Sequence, residues 1–231
     1  MELKEYAKGT YNKSNDTEQW IRISEGCPNN CEFCRETREN TAKEVYLDIP
    51  ILERNFVKIM DMNLMYKSKC IEILDLLGSK KVDNKVIYYE LICGIDYRFM
   101  DNEKSEALKR NRFKNIRLAW DHSYLEQKKI KKCIDNLKKA GYGKGDITVF
   151  IICNWKRTFE ENLLKMELCK VWNVKICDCW FDNQLSPNIE PIHWTVEQIK
   201  SFRKKVRKHN QLVNFGIDPE LNTDQMELFS L

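Results

Sequence analysis

The run Ile147-Thr148-Val149-Phe150-Ile151-Ile152-Cys153 decides how the chain is read. It is apolar almost throughout and rich in β-branched residues, which suits a strand covered on both faces rather than one with a wet side. Such strands belong to parallel sheets, whose neighbours are joined by long crossovers, usually helices. Segments of that kind flank it. Upstream, Glu126 to Ala140 sets Ile130, Cys133, Ile134 and Leu137 at helical spacing, and Gly141 follows. Downstream, Phe159 to Trp172 reads as a helix and Val174 to Trp180 as the next strand.

Further out the same alternation repeats. Trp20-Ile21-Arg22-Ile23-Ser24 alternates and stops at Gly26. Asn55 to Asp61 gives a second strand, Val86 to Cys93 a third ended by Gly94, and Ile116 to Trp120 a fourth. Between them lie helical stretches from Tyr66 to Leu77, which Gly78 is expected to close, and from Asn102 to Arg110. A last helix, Thr195 to His209, turns Ile199, Phe202 and Val206 inward. Six strand-then-helix units in order predict an α/β fold on a parallel sheet, open or curled into part of a barrel. With no linker, repeat or composition break, residues 1–231 read as a single domain. The barrel spans about 18–182, and a C-terminal helical extension about 183–231, with an irregular tail around Asp218-Pro219.

Composition narrows the partners. The chain has 231 residues, 42% apolar and 32% charged, with 8 Gly and 5 Pro, which excludes collagen and low-complexity disorder. No run approaches the ~18 apolar residues of a membrane helix. Met1 to Asp16 lacks the apolar core of a secretory signal, so a cytoplasmic protein with no membrane partner is expected. In a reducing compartment its ten cysteines would be thiols, and a cluster of them points to a metal site. A balance of 39 Lys+Arg against 35 Asp+Glu is mildly basic, short of a dedicated nucleic-acid binder.

The cysteines concentrate in Gly26-Cys27-Pro28-Asn29-Asn30-Cys31-Glu32-Phe33-Cys34, a C-x3-C-x2-C loop just after the first strand. Thiolates suit zinc or iron–sulfur clusters. Zinc would want a fourth protein ligand, and His122, His193, His209 and Cys70 are all remote in sequence. A four-iron cluster usually takes four thiolates, so three would leave one iron open to an outside ligand.

This loop, with an aromatic before its last cysteine and a serial βα chain behind it, resembles the radical S-adenosylmethionine (radical SAM) superfamily. Ile23-Ser24-Glu25-Gly26-Cys27 and Phe33-Cys34 are most similar to its methylthiotransferase branch. The resemblance covers about residues 18 to 180 as architecture and 26 to 34 as a specific motif. It implies a partial (βα)6 barrel, in agreement with the six units. It also implies a [4Fe-4S] cluster on Cys27, Cys31 and Cys34, whose open iron binds SAM, and reductive cleavage of SAM to a 5′-deoxyadenosyl radical. An oxygen-sensitive enzyme served by a reductant such as flavodoxin or ferredoxin follows. The alternative is a non-catalytic zinc-binding module with a basic helix for RNA or protein.

Other positions carry over more loosely. Phe33 matches the aromatic that sets the adenine edge. Where the family often reads Gly-Gly-Glu and meets the SAM amino group, this chain has Asp61-Met62-Asn63; Asp61 and Asn63 can accept from an ammonium, or cap the strand end. Asp96 and Arg98 follow Gly94, and the Arg can grip a carboxylate or form a surface salt bridge. Asp121 can accept from ribose hydroxyls or cap the next helix, and Asn154 is similarly placed. Asp61, Asp96, Asp121, Asn154 and Asp182 all fall at the carboxyl ends of strands, where ligands of parallel folds bind.

Cys177 and Cys179 share one face of the sixth strand and, with Cys153, are expected to face the interior as core thiols, hydrogen donors or ligands of a second cluster. Cys70, Cys133 and Cys169 read as helix core. Lys200, Arg203, Lys204, Lys205, Arg207 and Lys208 give the densest positive face, either plain solvated surface or a guide for a nucleic acid or phosphorylated substrate. A nucleotide or RNA substrate is favoured slightly over a peptide or protein.

Overall fold

The computed structural model describes residues 11–29, 31–34, 44–181 and 194–216. Parallel strands run in sequence order: Gln19–Ile21 (β1), Phe56–Ile59 (β2), β3 in two pieces, Tyr88–Leu91 and Ile95–Asp96, then Ile116–Ala119 (β4), Ile147–Cys153 (β5) and Lys175–Trp180 (β6). The first piece of β3 pairs with β2 and the second with β4, so β3 is the corner joining two sheets. Gly94, at φ +89°, takes the backbone through that corner in a conformation that side chains resist. A lone parallel bridge from Tyr89 to Phe113 closes the seam. Among the described residues β6 pairs only with β5, and the outer edge of β1 is taken by an antiparallel strand, Asn12–Ser14. Among the described residues the ring is open between β6 and β1. It is a partial barrel, as the alternation predicts.

Five helices follow β2 to β6 in turn: Cys70–Ser79 (α1), Asn102–Arg110 (α2), Gln127–Lys139 (α3), Phe159–Val171 (α4) and Val196–Phe215 (α5). After β1 the described residues hold the cysteine loop and a small antiparallel pair, Ser24–Glu25 with Val45–Tyr46. Local chemistry starts the helices where they start. Asp101 accepts from Lys104 N at α2, Thr158 from Glu161 N at α4, and Thr195 and Gln198 form a reciprocal capping box at α5. The stripe Ile130, Cys133, Ile134 and Leu137 is buried on α3 as its spacing requires.

Three expectations are corrected. The helix read from Tyr66 begins at Cys70, because Leu64–Tyr66 is a separate 3-10 turn. Gly78 does not close it but lies inside: a Cβ there would stand 1.8 Å from Asn111 Oδ1 at the end of α2, so the residue is a close-approach point. The last helix continues past His209 to Phe215, because buried His209 and Val213 extend its inner stripe, and Gly216 at φ +75° ends it.

Register sorts the inner and outer faces. Trp20, Lys58 and Glu90 lie level across β1 to β3; Asp96, Ala119, Phe150 and Cys177 lie level across β3 to β6. Cys179 pairs with Ile152, so it shares the inner face with Cys177. Cys153 pairs with Trp180 on the opposite face, fully buried in the same core as Met166, Cys169, Phe202 and Val206 of α4 and α5. The expectation that Cys153 joins Cys177 and Cys179 inside the barrel, and with it a three-thiol second cluster, is overturned. Cys70, Cys133 and Cys169 are buried helix residues as read. No helix among the described residues is long and apolar enough to cross a membrane.

Candidate functional site

The chain leaves β1 through Gly26, whose φ of +90° lets the backbone turn sharply into the cysteine loop. Two buried polar side chains fix that turn from behind. Asp61, just past β2, accepts from Ile23 N at 2.9 Å and from the Ser24 hydroxyl at 2.5 Å. Lys67, 2% exposed, donates its ammonium to Glu25 O and, at 2.5 Å, to Gly26 O. Burial raises the Asp61 carboxyl to about 6 despite those two donors, and burial lowers the Lys67 ammonium. The entry to Cys27 is thus held at four successive residues, Ile23 to Gly26, before the first thiol.

The loop forms one wall of a cavity of about 130 Å³, to which Cys27, Cys31 and Cys34 all contribute. Within the loop Cys34 N donates to Cys31 O at 3.0 Å, closing a turn. Among the described residues no three His, Cys, Asp or Glu side chains converge tightly enough to hold one metal ion. The thiols instead stand around a shared space. Burial, then the nearby Cys34, Asp121 and Cys27, push the Cys31 thiol up to about 11. Unloaded, Cys31 therefore keeps its proton, and a bound metal would have to displace it.

The strand ends supply the other walls. From β2 come Met62 and Asn63, from β3 Cys93, Gly94, Asp96 and Arg98, and from β4 Ala119, Asp121 and His122. Asn63, 3% exposed, donates its amide to Cys27 Sγ at 3.6 Å, and its buried Oδ1 has no hydrogen-bond partner. Asp96 accepts from Asn29 Nδ2 at 2.6 Å and takes both forks of Arg98, Nε at 2.8 Å and Nη2 at 2.7 Å. Burial opposes its charge, but the bonds from Arg98 and Asn29 outweigh burial and hold the carboxyl below the usual range. The Arg98 fork is therefore spent on Asp96. Burial pushes the Asp121 carboxyl up to about 6, against the pull of the Lys165 charge, and burial lowers the His122 imidazole. Lys165, fully buried on α4, donates to Trp120 O at 3.2 Å and His122 O at 2.7 Å, and so fixes the segment that carries Asp121.

Of the residues singled out in the sequence, the three cysteines, Phe33, Asn63, Asp96, Arg98 and Asp121 meet at this cavity. Phe33 also packs edge-on against Trp155, centroids 4.7 Å apart. Asp61 and Asn154 do not line it. Asp61 is the anchor described above. Asn154, at φ +51°, exchanges hydrogen bonds with Phe181 N (3.0 Å) and O (3.3 Å), tying the end of β5 to that of β6. Asp182 and His193 lie outside the described residues, as do Asn30 and the tail around Asp218-Pro219. Sequence reasoning missed Asn29, Lys67, His122 and Lys165. It also missed Cys93, a fourth thiol on the cavity wall, whose Sγ donates to Met60 O at 3.4 Å.

No family model and no curated protein matches the chain. Solved structures do. The chain covers 84% of itself and 52% of coproporphyrinogen III oxidase (HemN) from Escherichia coli, described as a radical SAM enzyme, at 11% identity and TM-score 0.61. This is the radical SAM fold. The radical SAM methyltransferase TsrM from Kitasatospora setae, solved with tryptophan and a SAM analogue, aligns at TM-score 0.57 and 11% identity, over 71% of this chain and 35% of its own. HydG, a maturase of the [FeFe]-hydrogenase, aligns at 0.56 and 12%, over 83% and 49%. The chain thus spans about a third to a half of the length of each.

Proposed function

We propose that this chain is a radical SAM enzyme in which Cys27, Cys31 and Cys34 hold a [4Fe-4S] cluster and leave one iron to SAM. The observation that carries the reading is the convergence of all three thiols on one wall of a cavity at the carboxyl ends of β1 to β4, in a barrel of the radical SAM fold. Three thiols from one loop suit a [4Fe-4S] cluster with an open iron, and the radical SAM fold favours the enzyme over a structural zinc module. When bound, cluster and SAM together supply a 5′-deoxyadenosyl radical able to take hydrogen from an unreactive C–H bond.

The protein's part is placement. Asn63 holds Cys27 with its amide and offers a buried, unpartnered oxygen to the ammonium of SAM. Asp121, held in place through Lys165, accepts from the ribose hydroxyls. Phe33, braced by Trp155, flanks the adenine. Asp96 stays ionised, and with Arg98 and Asn29 it ties the cysteine loop to β3. Asp61 and Asn154 act one step behind, as anchors of the loop and of the β5 end.

The exposed cations Lys200, Arg203, Lys204, Lys205, Arg207 and Lys208 on α5 favour an anionic substrate, a nucleotide or RNA before a peptide. The reductant is a low-potential carrier such as flavodoxin or ferredoxin. Anaerobic reconstitution with iron and sulfide, then incubation with SAM and dithionite, tests the reading. Brown protein that yields 5′-deoxyadenosine and methionine supports it; colourless protein with one tightly held zinc refutes it.

A further inference from the structure

Cys177 and Cys179 have no part in the site above, yet they sit on the inner face of the same barrel. Their sulfurs are 4.0 Å apart, with the Cys179 S–H directed at Cys177, and both are half-buried. Cys177 is level with Phe150 and, one strand further, with Ala119 on the cavity wall, so the pair stands two strand spacings, about 10 Å, across the sheet from the cavity. The hydrogen bond from Cys179 draws the Cys177 thiol down to about 7, with the Arg117 charge assisting, and the same bond keeps the proton on Cys179. Of the two sulfurs, Cys179 holds its proton more firmly and Cys177 gives its proton up more readily.

Two other uses fit poorly. Side chains two apart on one strand start from α-carbons about 6.6 Å apart, near the upper end of what a disulfide spans, so the pair resists closing. A second cluster lacks a third sulfur, because Cys153 faces the helices.

We infer that Cys179, partnered by Cys177, is the hydrogen-atom donor that quenches a carbon radical inside the barrel. The inference rests on the radical SAM reading. An S–H bond is weaker than the C–H bond it would form, so transfer runs downhill. The Cys179 S–H bond breaks homolytically, a C–H bond forms, and the odd electron is left on the Cys179 sulfur, 4.0 Å from that of Cys177. One electron from a carrier of the flavodoxin or ferredoxin class and one proton from water then restore the thiol. In sum, a carbon radical, an electron and a proton become a C–H bond.

The test uses the reconstituted full chain in D2O, where thiols carry deuterium, with SAM and dithionite and no other substrate. In the wild type, most of the 5′-deoxyadenosine should carry one deuterium by mass spectrometry. In Cys179→Ser and Cys179→Ala that labelled fraction should fall about tenfold, as for loss of the fastest competing donor. Equal labelling in wild type and both variants overturns the inference and leaves the enzyme reading standing. So does loss of label in Cys93→Ser with none in the Cys179 variants, since Cys93 is the rival thiol on the cavity wall. If no variant and no wild-type sample forms 5′-deoxyadenosine, both readings fall together.

Discussion

Strands β1 and β2 contribute three and four residues to the sheet, whereas β5 and β6 contribute seven and six. The short pair is pinned by buried polar groups. The Gln19 carboxamide, fully buried, bonds Asn12, Ile51 O and Glu53 N, while Asp61 and Lys67 hold the start of the cysteine loop. The long pair is pinned mainly by apolar burial under α4 and α5. Strands this short bury too little to fix their own register, so directional bonds do it. The half that must present three thiols in a set geometry is the half built on such bonds. The other half is a packed scaffold.

That contrast predicts a split between stability and function. Asp61→Ala strips the acceptor from two buried donors and should cost about 3 kcal/mol. Leu137→Ala, on the buried face of α3, should also cost about 3 kcal/mol. Urea unfolding measures both. Iron retained after reconstitution should drop only in Asp61→Ala, because only that change loosens the loop; equal loss in both would erase the distinction.

Asp61 sharpens it through pH. Its carboxyl titrates near 6 in the folded chain against 3.8 ordinarily, so the folded state binds more protons between those values. Stability from this group is fully present below about pH 4 and is lost as pH rises through 6, a swing of about 3 kcal/mol. Asp61→Asn should remove that slope, read as the difference between wild-type and variant unfolding curves from pH 4 to 7. A slope that survives would mean another group carries it.

Gly78→Ala is smaller. Its Cβ meets Asn111, and overpacking there should cost about 2 kcal/mol in unfolding experiments with no change in iron content. A helix-propensity gain instead would mean that α1 and α2 can separate freely. Smallest of all is Cys93→Ser, which should keep full iron content; loss of iron would make Cys93 a fourth ligand.

The same division explains what could be read beforehand. β5, α3 and the order of strands and helices were legible because apolar period is a signal that survives in a single sequence. The cysteine loop was legible because tight thiolate spacing has few other uses. Lys67 and Lys165 were not, because in a chain with 32% charged residues a buried lysine looks like any surface one. Asp61 and Asn154 were placed correctly at strand ends, but spacing cannot say whether a side chain turns into the cavity or back onto the backbone. Gly78 was misread for a similar reason: only the crossing of α1 by the end of α2 shows that it is a contact rather than a stop.

The account turns on three thiols leaving one iron exposed. Electron paramagnetic resonance of the reconstituted, reduced protein, recorded before and after adding SAM, tests this most directly. A cluster signal that changes shape on SAM addition, and vanishes in Cys31→Ser, is the predicted result. A cluster signal that SAM leaves untouched would show that no iron is open, and would contradict the account.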